Sequence, residues 1–459
     1  MHCKDFLDRK CETKKTDRNE SNKKGKAMKM AKKSKSKLAA VILCVLMLVM
    51  SLAGCGNAAA DSSESTASAA SNTTVTEAAE EEETEEVTSE DEMFTDRDLD
   101  ASYDESEATR VTLSGSSASV DGSGAEVSGS TVTISEAGVY ILSGKLTGQV
   151  IVEAADTAKV QIVLDDAEIT NANSAAIYVK QADKVFLTLA DGSTNTLTTT
   201  GTYTADGDTN IDAVIFSKED LCVQGSGALV ISSDEGNGIT SKDDLKVTGG
   251  KISIDVTGHA LEGKDSVRIA DGTFELTSGK DGIHASNEED ETKGYVYIAG
   301  GTFTINVADD GIHAVTTLTV NAGTFDITAA EAIEATYITI NDGVIGITAS
   351  DDGINAAAKS AAYPPTIEIN GGEITISMGQ GDTDAVDSNG YIYINGGTLD
   401  ITAQSPFDYD MGASLNGGTL IVNGQETTEI TNQMMGGMPG GDMGGQPGGG
   451  MGGQPGMQP

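Results

Sequence analysis

The chain has 459 residues with 55 Gly, eight Phe, no Trp and a formal net charge of -42, which excludes a compact domain built round an aromatic core and favours thin, repeated layers. The charge is divided: residues 1–54 hold 14 basic and five acidic side chains, and residues 55–459 hold 15 basic against 66 acidic ones. Such a body repels nucleic acid and anionic lipid surfaces and attracts divalent cations, so no nucleic-acid partner is expected.

At the N-terminus, Lys29 to Lys37 form a positive stretch and Leu38 to Leu52 an apolar one, closed by Leu52-Ala53-Gly54-Cys55. Small residues just before a cysteine resemble the lipobox of bacterial lipoproteins. That resemblance implies cleavage before Cys55, acylation of its thiol and a lipid anchor on the extracellular face of the cell membrane. Of five cysteines, Cys55 and Cys222 survive such cleavage, so no disulfide is expected within the chain. The expected organisation is a basic N-region and signal over 1–54, an acidic Ser/Thr/Glu linker over 55–108, a repeat domain over 109–430 and a disordered Gly/Met/Gln/Pro tail over 431–459. Linker and tail are too polar to bury a core.

Residues 111–216 carry strand-like runs without a clear period and predict irregular first coils or a β-rich cap. Beyond them, Gly turns recur at Gly249-Gly250, Asp271-Gly272, Gly300-Gly301, Ala322-Gly323, Asp342-Gly343, Gly371-Gly372, Gly396-Gly397 and Gly417-Gly418, about 24 residues apart on average. Strict alternation follows each turn, with Phe274 and Leu276, Phe303 and Ile305, Phe325 and Ile327, Ile374 and Ile376, and Leu399 and Ile401 directed inward. A second strand precedes each turn, and a very short third one carries the single apolar residues Ile239, Leu261, Ile283, Ile312, Ile333, Ile354 and Val386. Three short strands per coil predict an all-β right-handed parallel β-helix, a solenoid whose coils bury their inner faces on one another. Asn287–Lys293 and Lys359–Pro365 read as insertions, which often mark a binding face.

Stacking turns the repeat into columns, and some columns are not required by packing. On either side of the short strand's apolar residue stand Asn237 and Thr240, His259 and Glu262, Asp281 and His284, Asp310 and His313, Glu331 and Glu334, Asp352 and Asn355, and Asp384 and Asp387. Carboxylates stacked about 4.8 Å apart repel unless a cation sits between them, and hard oxygen donors suit Ca²⁺. The candidate ligands are Asp281, Asp309, Asp310, Glu331, Glu334, Asp351, Asp352, Asp382, Asp384 and Asp387. The alternative is that these Asp residues only shape turns. For His259, His284 and His313 a hydrogen-bonding ladder is expected in preference to a transition metal, because His284 and His313 lie in different coils from His259 and no thiolate accompanies them. A basic column of Lys180, Lys218, Lys242 and Lys264 precedes the second strand. It either relieves the charge of adjacent acids or greets an acidic polysaccharide. Outward tyrosines on the second strand, Tyr295, Tyr297, Tyr337, Tyr391 and Tyr393, are β-formers that also stack on sugar rings.

The segments Ala176-Ile177-Tyr178-Val179-Lys180, Ser241-Lys242-Asp243-Asp244-Leu245-Lys246-Val247, Gly263-Lys264-Asp265-Ser266-Val267, Gly294-Tyr295-Val296-Tyr297-Ile298 and Asp309-Asp310-Gly311-Ile312-His313-Ala314 together resemble a known family. It is the carbohydrate-binding right-handed parallel β-helix domain of clostridial-type cell-surface lipoproteins, and the resemblance covers roughly 110–425. It implies a fold similar to pectate lyases, binding of plant cell-wall polysaccharide of the acidic, pectin type, and Ca²⁺ at coil turns. His259-Ala260 departs from the family pattern, which has an acidic residue there. The first expectation is a non-catalytic cell-surface binding module. One alternative is a Ca²⁺-assisted polysaccharide lyase with Lys242, Lys264 or Lys280 as base, although each stands near acids that favour the ammonium over the neutral amine a base needs. Another is a structural spacer or adhesin.

Overall fold

The computed structural model describes residues 93–380 and 383–432. The expected signal segment, Cys55, Asp382 and the Gly/Met-rich tail from residue 433 on lie outside them. From Ile177 onward each coil runs short strand, middle strand, long strand, as in Leu261–Gly263, Ser266–Ile269 and Thr273–Ser278, followed by Ile283–Ala285, Tyr295–Ile298 and Thr302–Val307. Every strand pairs in parallel with its counterpart one coil away, in register and like on like: Leu261 with Ile283, Val267 with Val296, Phe274 with Phe303. This is the stacked-coil β-helix that the alternation predicts.

Hydrophobic burial drives the stacking, because a single coil offers no second layer to cover its inner face. The inward residues of all three strands are buried, and Phe274, Phe303 and Phe325 stack with ring centroids 4.6 Å apart. Turn glycines make room for them: at Gly301, with φ of 118°, a β-carbon would come within 3.0 Å of the Phe303 ring. A second ladder stands at the corner between middle and long strands. Asn416, Asn395, Asn370 and Asn341 each donate a side-chain amide to the asparagine of the preceding coil at 2.7–2.9 Å, and Asn321 closes the series on the Tyr297 hydroxyl at 2.8 Å.

The first coils are more regular than their sequence suggests. Gly138–Thr147 and Lys159–Asn171 are long, bent strands, and Lys159–Asn171 pairs with both Lys184–Leu189 and Thr194–Thr199, so one strand supplies two walls. A register shift between Leu142 and Gly144 and the positive φ of Asp166 mark the bend. The cap itself consists of two antiparallel hairpins, Thr109–Gly115 with Ser117–Asp121 and Ala125–Ser128 with Thr131–Ile134. At the other end Gln425–Thr427 folds back antiparallel on Thr419–Val422. Both devices blunt an edge that would otherwise template association.

The expected linker over 55–108 ends earlier than its composition suggests. Helix α1, Asp96–Leu99, is capped by Thr95 and lies on the outward side of the middle strands. Asp98 is fully buried and bonds Lys184 Nζ at 2.8 Å and Lys246 Nζ at 3.0 Å, while its carbonyl accepts from Thr248 at 2.8 Å. Arg97 lies over Phe186, Phe94 lies against Tyr297, and the Met93 carbonyl accepts from Arg268. Cys222 is free and buried beneath this strap, and burial pushes its thiol up to about 12. Three basic outward residues within four successive coils, Lys184, Lys246 and Arg268, explain why so acidic a segment becomes ordered here.

Two predictions follow from these contacts. Phe303→Ala, in the middle of the aromatic stack, should cost about 3–5 kcal/mol in denaturant unfolding. For Asp98, burial alone would raise the carboxyl, but Lys184 and Lys246 hold it down from 3.8 to about 2. The pair's stabilisation, about 2 kcal/mol, is therefore fully present above pH ~4 and is lost as pH falls towards 2. Asp98→Asn, which strands two buried ammoniums, should cost about 3–5 kcal/mol and flatten the acid limb of a stability–pH curve.

Candidate functional site

The outward side of the short strands carries two parallel ladders. Parallel register stacks Thr240, Glu262, His284, His313, Glu334, Asn355 and Asp387 in one. Beside it run Asn237, His259, Asp281, Asp310, Glu331, Asp352 and Asp384, each three residues earlier in its coil. Three residues along a strand would ordinarily place two side chains on opposite faces. Here the turn at the start of each short strand brings both to the same side. Close approach of coils requires Gly282, where a β-carbon would fall 2.6 Å from the Gly311 carbonyl.

The face changes character along the axis. It begins with an apolar cluster of Ala175, Tyr178, Ile211, Ala213 and Phe216 under Tyr203. Glu262 follows and is well satisfied, accepting from Asn237 at 2.8 Å, Thr240 at 3.1 Å and Ser286 at 3.3 Å. Next come His259, His284 and His313 round Asp281, whose Oδ2 lies 3.2 Å from His259 Nδ1, 3.5 Å from His313 Nδ1 and in close contact with His284 Nδ1. Burial would raise the Asp281 carboxyl, but the three imidazoles hold it well below the carboxylate range. Beyond them carboxylates crowd, with Lys359 on Glu334 as the one lysine paired to the group Asp310, Glu331 and Glu334 among the described residues. Burial and the neighbouring Asp281, Glu334, Glu331 and Asp309 push Asp310 up to about 9. Burial and nearby acids likewise push Asp352 to about 7 and Asp387 to about 6.

Four of the expected metal ligands thus meet: Asp281 joins His259 and His284, and Asp310, Glu331 and Glu334 place one oxygen each within 4.8 Å of one another. Asp352, Asp384 and Asp387 continue the face, with Asp352 accepting from the Asp384 amide at 3.1 Å. Asp309 and Asp351 do not belong to it. Both are exposed and join no such group among the described residues. The histidines are neighbours because they lie in different coils, since stacking brings successive coils together; His259 and His284 rings are 4.3 Å apart. Sequence reading that treated separate coils as separation in space missed this, although the common register of the motif carried the signal.

The lysine column exists as stacked backbone, with the amides of Lys218, Lys242 and Lys264 bonding carbonyls one coil back. Lys180 pairs with Glu153 and Asp206, and Lys242 with Glu262 at 3.7 Å and Asp212 at 3.9 Å. Lys218 is exposed and Lys264 half-buried, and neither has an ion pair among the described residues. Lys280 is exposed in the turn directly before Asp281 and has no ion pair among the described residues. Both insertions follow a short strand and reach back: Lys293 bonds Asp265, and Lys359 bonds Glu334 at 2.7 Å.

The tyrosines divide. Tyr297 is 7% exposed, covered by Phe94, and ends the asparagine ladder, so it is not a sugar platform. Tyr295 is half-buried with the Arg268 guanidinium 5.3 Å over its ring. The strap explains the burial of Tyr297. Beyond it Tyr391 and Tyr393 stack at 5.9 Å, and Tyr337 meets Tyr363 of the second insertion at 5.9 Å, with Tyr363 and Tyr391 exposed.

With this geometry in place, the comparison with known proteins is informative. The family described as carbohydrate-binding domain-containing protein matches residues 128–385, more than half of the chain, and the chain belongs to it. A carbohydrate-binding domain-containing protein of Acetivibrio thermocellus is 39% identical over 123 residues, 26% of this chain and 43% of the relative. The match thus spans under half of that protein's length. A gadolinium derivative of a polysaccharide lyase-like protein from C. thermocellum is similar at 26% identity and a TM-score of 0.42, over 67% of this chain and all of that one.

Asp310→Asn replaces an acid that the fold must keep protonated at neutral pH, since its carboxyl is pushed up to about 9. It should stabilise the metal-free protein by on the order of 1–3 kcal/mol in chelator, read as a raised melting temperature. A fall would show that the crowding at Asp310 does not burden the folded state.

Proposed function

We propose that the protein is a cell-surface module that binds acidic polysaccharide of the pectin type through Ca²⁺ and an adjoining tyrosine patch. The observation that carries this reading is the group Asp310, Glu331 and Glu334, three carboxylates on one face with their oxygens within 4.8 Å of one another. Two oxygens on one Ca²⁺ stand up to about 5 Å apart, so the donor set fits. Asn355 adds to the fit: it donates to Glu331 at 2.9 Å, and its own Oδ1 is buried without a partner. Asp352 and Asp387 would extend such a site along the axis. A bound cation would neutralise the face and leave it able to accept a uronate carboxylate, which the bare acids repel.

Tyr337, Tyr363, Tyr391 and Tyr393 lie on the neighbouring wall and offer ring faces and hydroxyls to a sugar chain. Lys218 and Lys264 supply ammoniums free to meet uronates. Binding is favoured over lyase chemistry because Lys242, the one candidate base with ion pairs among the described residues, is held between Glu262 and Asp212. Acylation at Cys55 would fix the module to the extracellular face of the cell membrane.

Binding to polygalacturonate, with Ca²⁺ and with chelator, tests the reading. Retention should require Ca²⁺ and fall at least tenfold in Tyr391→Ala combined with Tyr393→Ala, with no rise in ultraviolet absorbance from unsaturated product. Product that disappears with Lys242→Ala would establish a lyase instead, and no binding to any wall polysaccharide would favour a spacer. Separately, labelled fatty acid should enter the wild-type chain and not Cys55→Ser in a bacterial host.

A further inference from the structure

The histidine part of the ladder is chemically unlike its acidic neighbour. One oxygen, Asp281 Oδ2, faces three imidazole nitrogens, yet a carboxylate oxygen offers two lone pairs. Nδ1 of His259 and Nδ1 of His284 are buried, and neither makes a hydrogen bond of acceptable geometry. A hydrogen-bonding ladder there has to share one carboxylate oxygen among three imidazoles. Three charged imidazoles would repel across centroid distances of 4.3 and 4.8 Å, and neutral ones with free Nδ1 lone pairs would waste them on a carboxylate.

Both neighbours along the face have their needs met from elsewhere. Glu262 is occupied by Asn237, Thr240 and Ser286, and Glu334 by Lys359. That leaves His259 Nδ1, His284 Nδ1 and Asp281 Oδ2 converging on each other, all within 4.8 Å. Ligand atoms on a tetrahedral Zn²⁺ stand about 3.3 Å apart, given metal–ligand bonds of about 2.0–2.1 Å. The 3.2 Å between His259 Nδ1 and Asp281 Oδ2 matches that edge. Imidazole with one carboxylate suits Zn²⁺, Co²⁺ or Ni²⁺ and not Ca²⁺, which prefers oxygen. His313 continues the ladder, with its Nδ1 3.5 Å from Asp281 Oδ2 and its Nε2 3.5 Å from Glu334 Oε2.

We infer that His259, Asp281 and His284 form a site for a borderline divalent transition-metal ion of the zinc class, separate from the all-oxygen group at Asp310, Glu331 and Glu334. Stacked coils supply the ligands, so the ion ties two successive coils together. The site is independent of the glycan reading, and its test uses no polysaccharide.

The full-length protein, stripped with chelator, is titrated with Co²⁺ and followed by visible absorption. One equivalent should give the d–d bands of a low-coordinate nitrogen/oxygen site, discharged by Zn²⁺ and left unchanged by a large excess of Ca²⁺. His259→Gln and His284→Gln, each checked for folding by circular dichroism, should weaken Co²⁺ binding at least tenfold, and Asp387→Asn should leave it unaltered. Zn²⁺ should raise the melting temperature of the wild type and not of the His284→Gln protein. Bands that persist in both histidine variants, displacement by Ca²⁺, or no Co²⁺ binding would each overturn the inference.

Discussion

Strand spacing rules this molecule. Parallel coils repeat every ~4.8 Å, so whatever side chain a position carries is placed against the corresponding side chain of the next coil. Apolar residues gain from that, as the inner faces of all three strands do. Amides gain too, because each asparagine both donates and accepts, and the series from Asn416 to Asn321 satisfies itself. Acids are different: like charges at that separation oppose one another, and no arrangement within a column relieves them. Each polar column therefore has to be explained by what neutralises it.

On the outward side of the middle strands the answer is internal. Lys184, Lys246 and Arg268 would be an exposed basic strip on an acidic body, and the chain covers them with its own Asp98, Phe94 and Met93 carbonyl. On the short-strand face no comparable segment exists among the described residues. Lys242 and Lys359 reach its acids at two places, and the stretch between holds imidazoles and raised carboxyls. That difference separates a packing surface from a site for ligands.

Periodicity made the repeat legible in the sequence. Inward positions alternate strictly, and turn glycines mark each coil, so the core could be named residue by residue. The ligand-rich face was legible as a motif, since Asp281, Asp310, Glu331 and Glu334 flank the lone apolar residue of each short strand. Three things were hidden. Residues 93–100 look like the polar linker before them, because their order comes from contacts with coils about 60 or more residues away. Tyr297 obeys the same alternation as Tyr391 and Tyr393, and only the strap distinguishes covered from open. The asparagine ladder had a signal, an Asn two residues before the turn glycine in successive coils, but local turn preference already accounted for Asn there.

The strap also decides where mechanical load enters. A solenoid pulled at its terminal coil peels open one coil at a time, since each coil is held by its neighbours alone. Here the first described residues, Met93 and Phe94, touch the wall at Arg268 and Tyr297, in the middle of the stack, and the chain runs back to the Lys184 coil before the hairpin cap begins. Tension on the N-terminal side is therefore borne first by contacts to central coils, with the buried Asp98 anchor next in series. The end cap feels it last, so a protein held by its N-terminus keeps its most vulnerable edge out of the line of force.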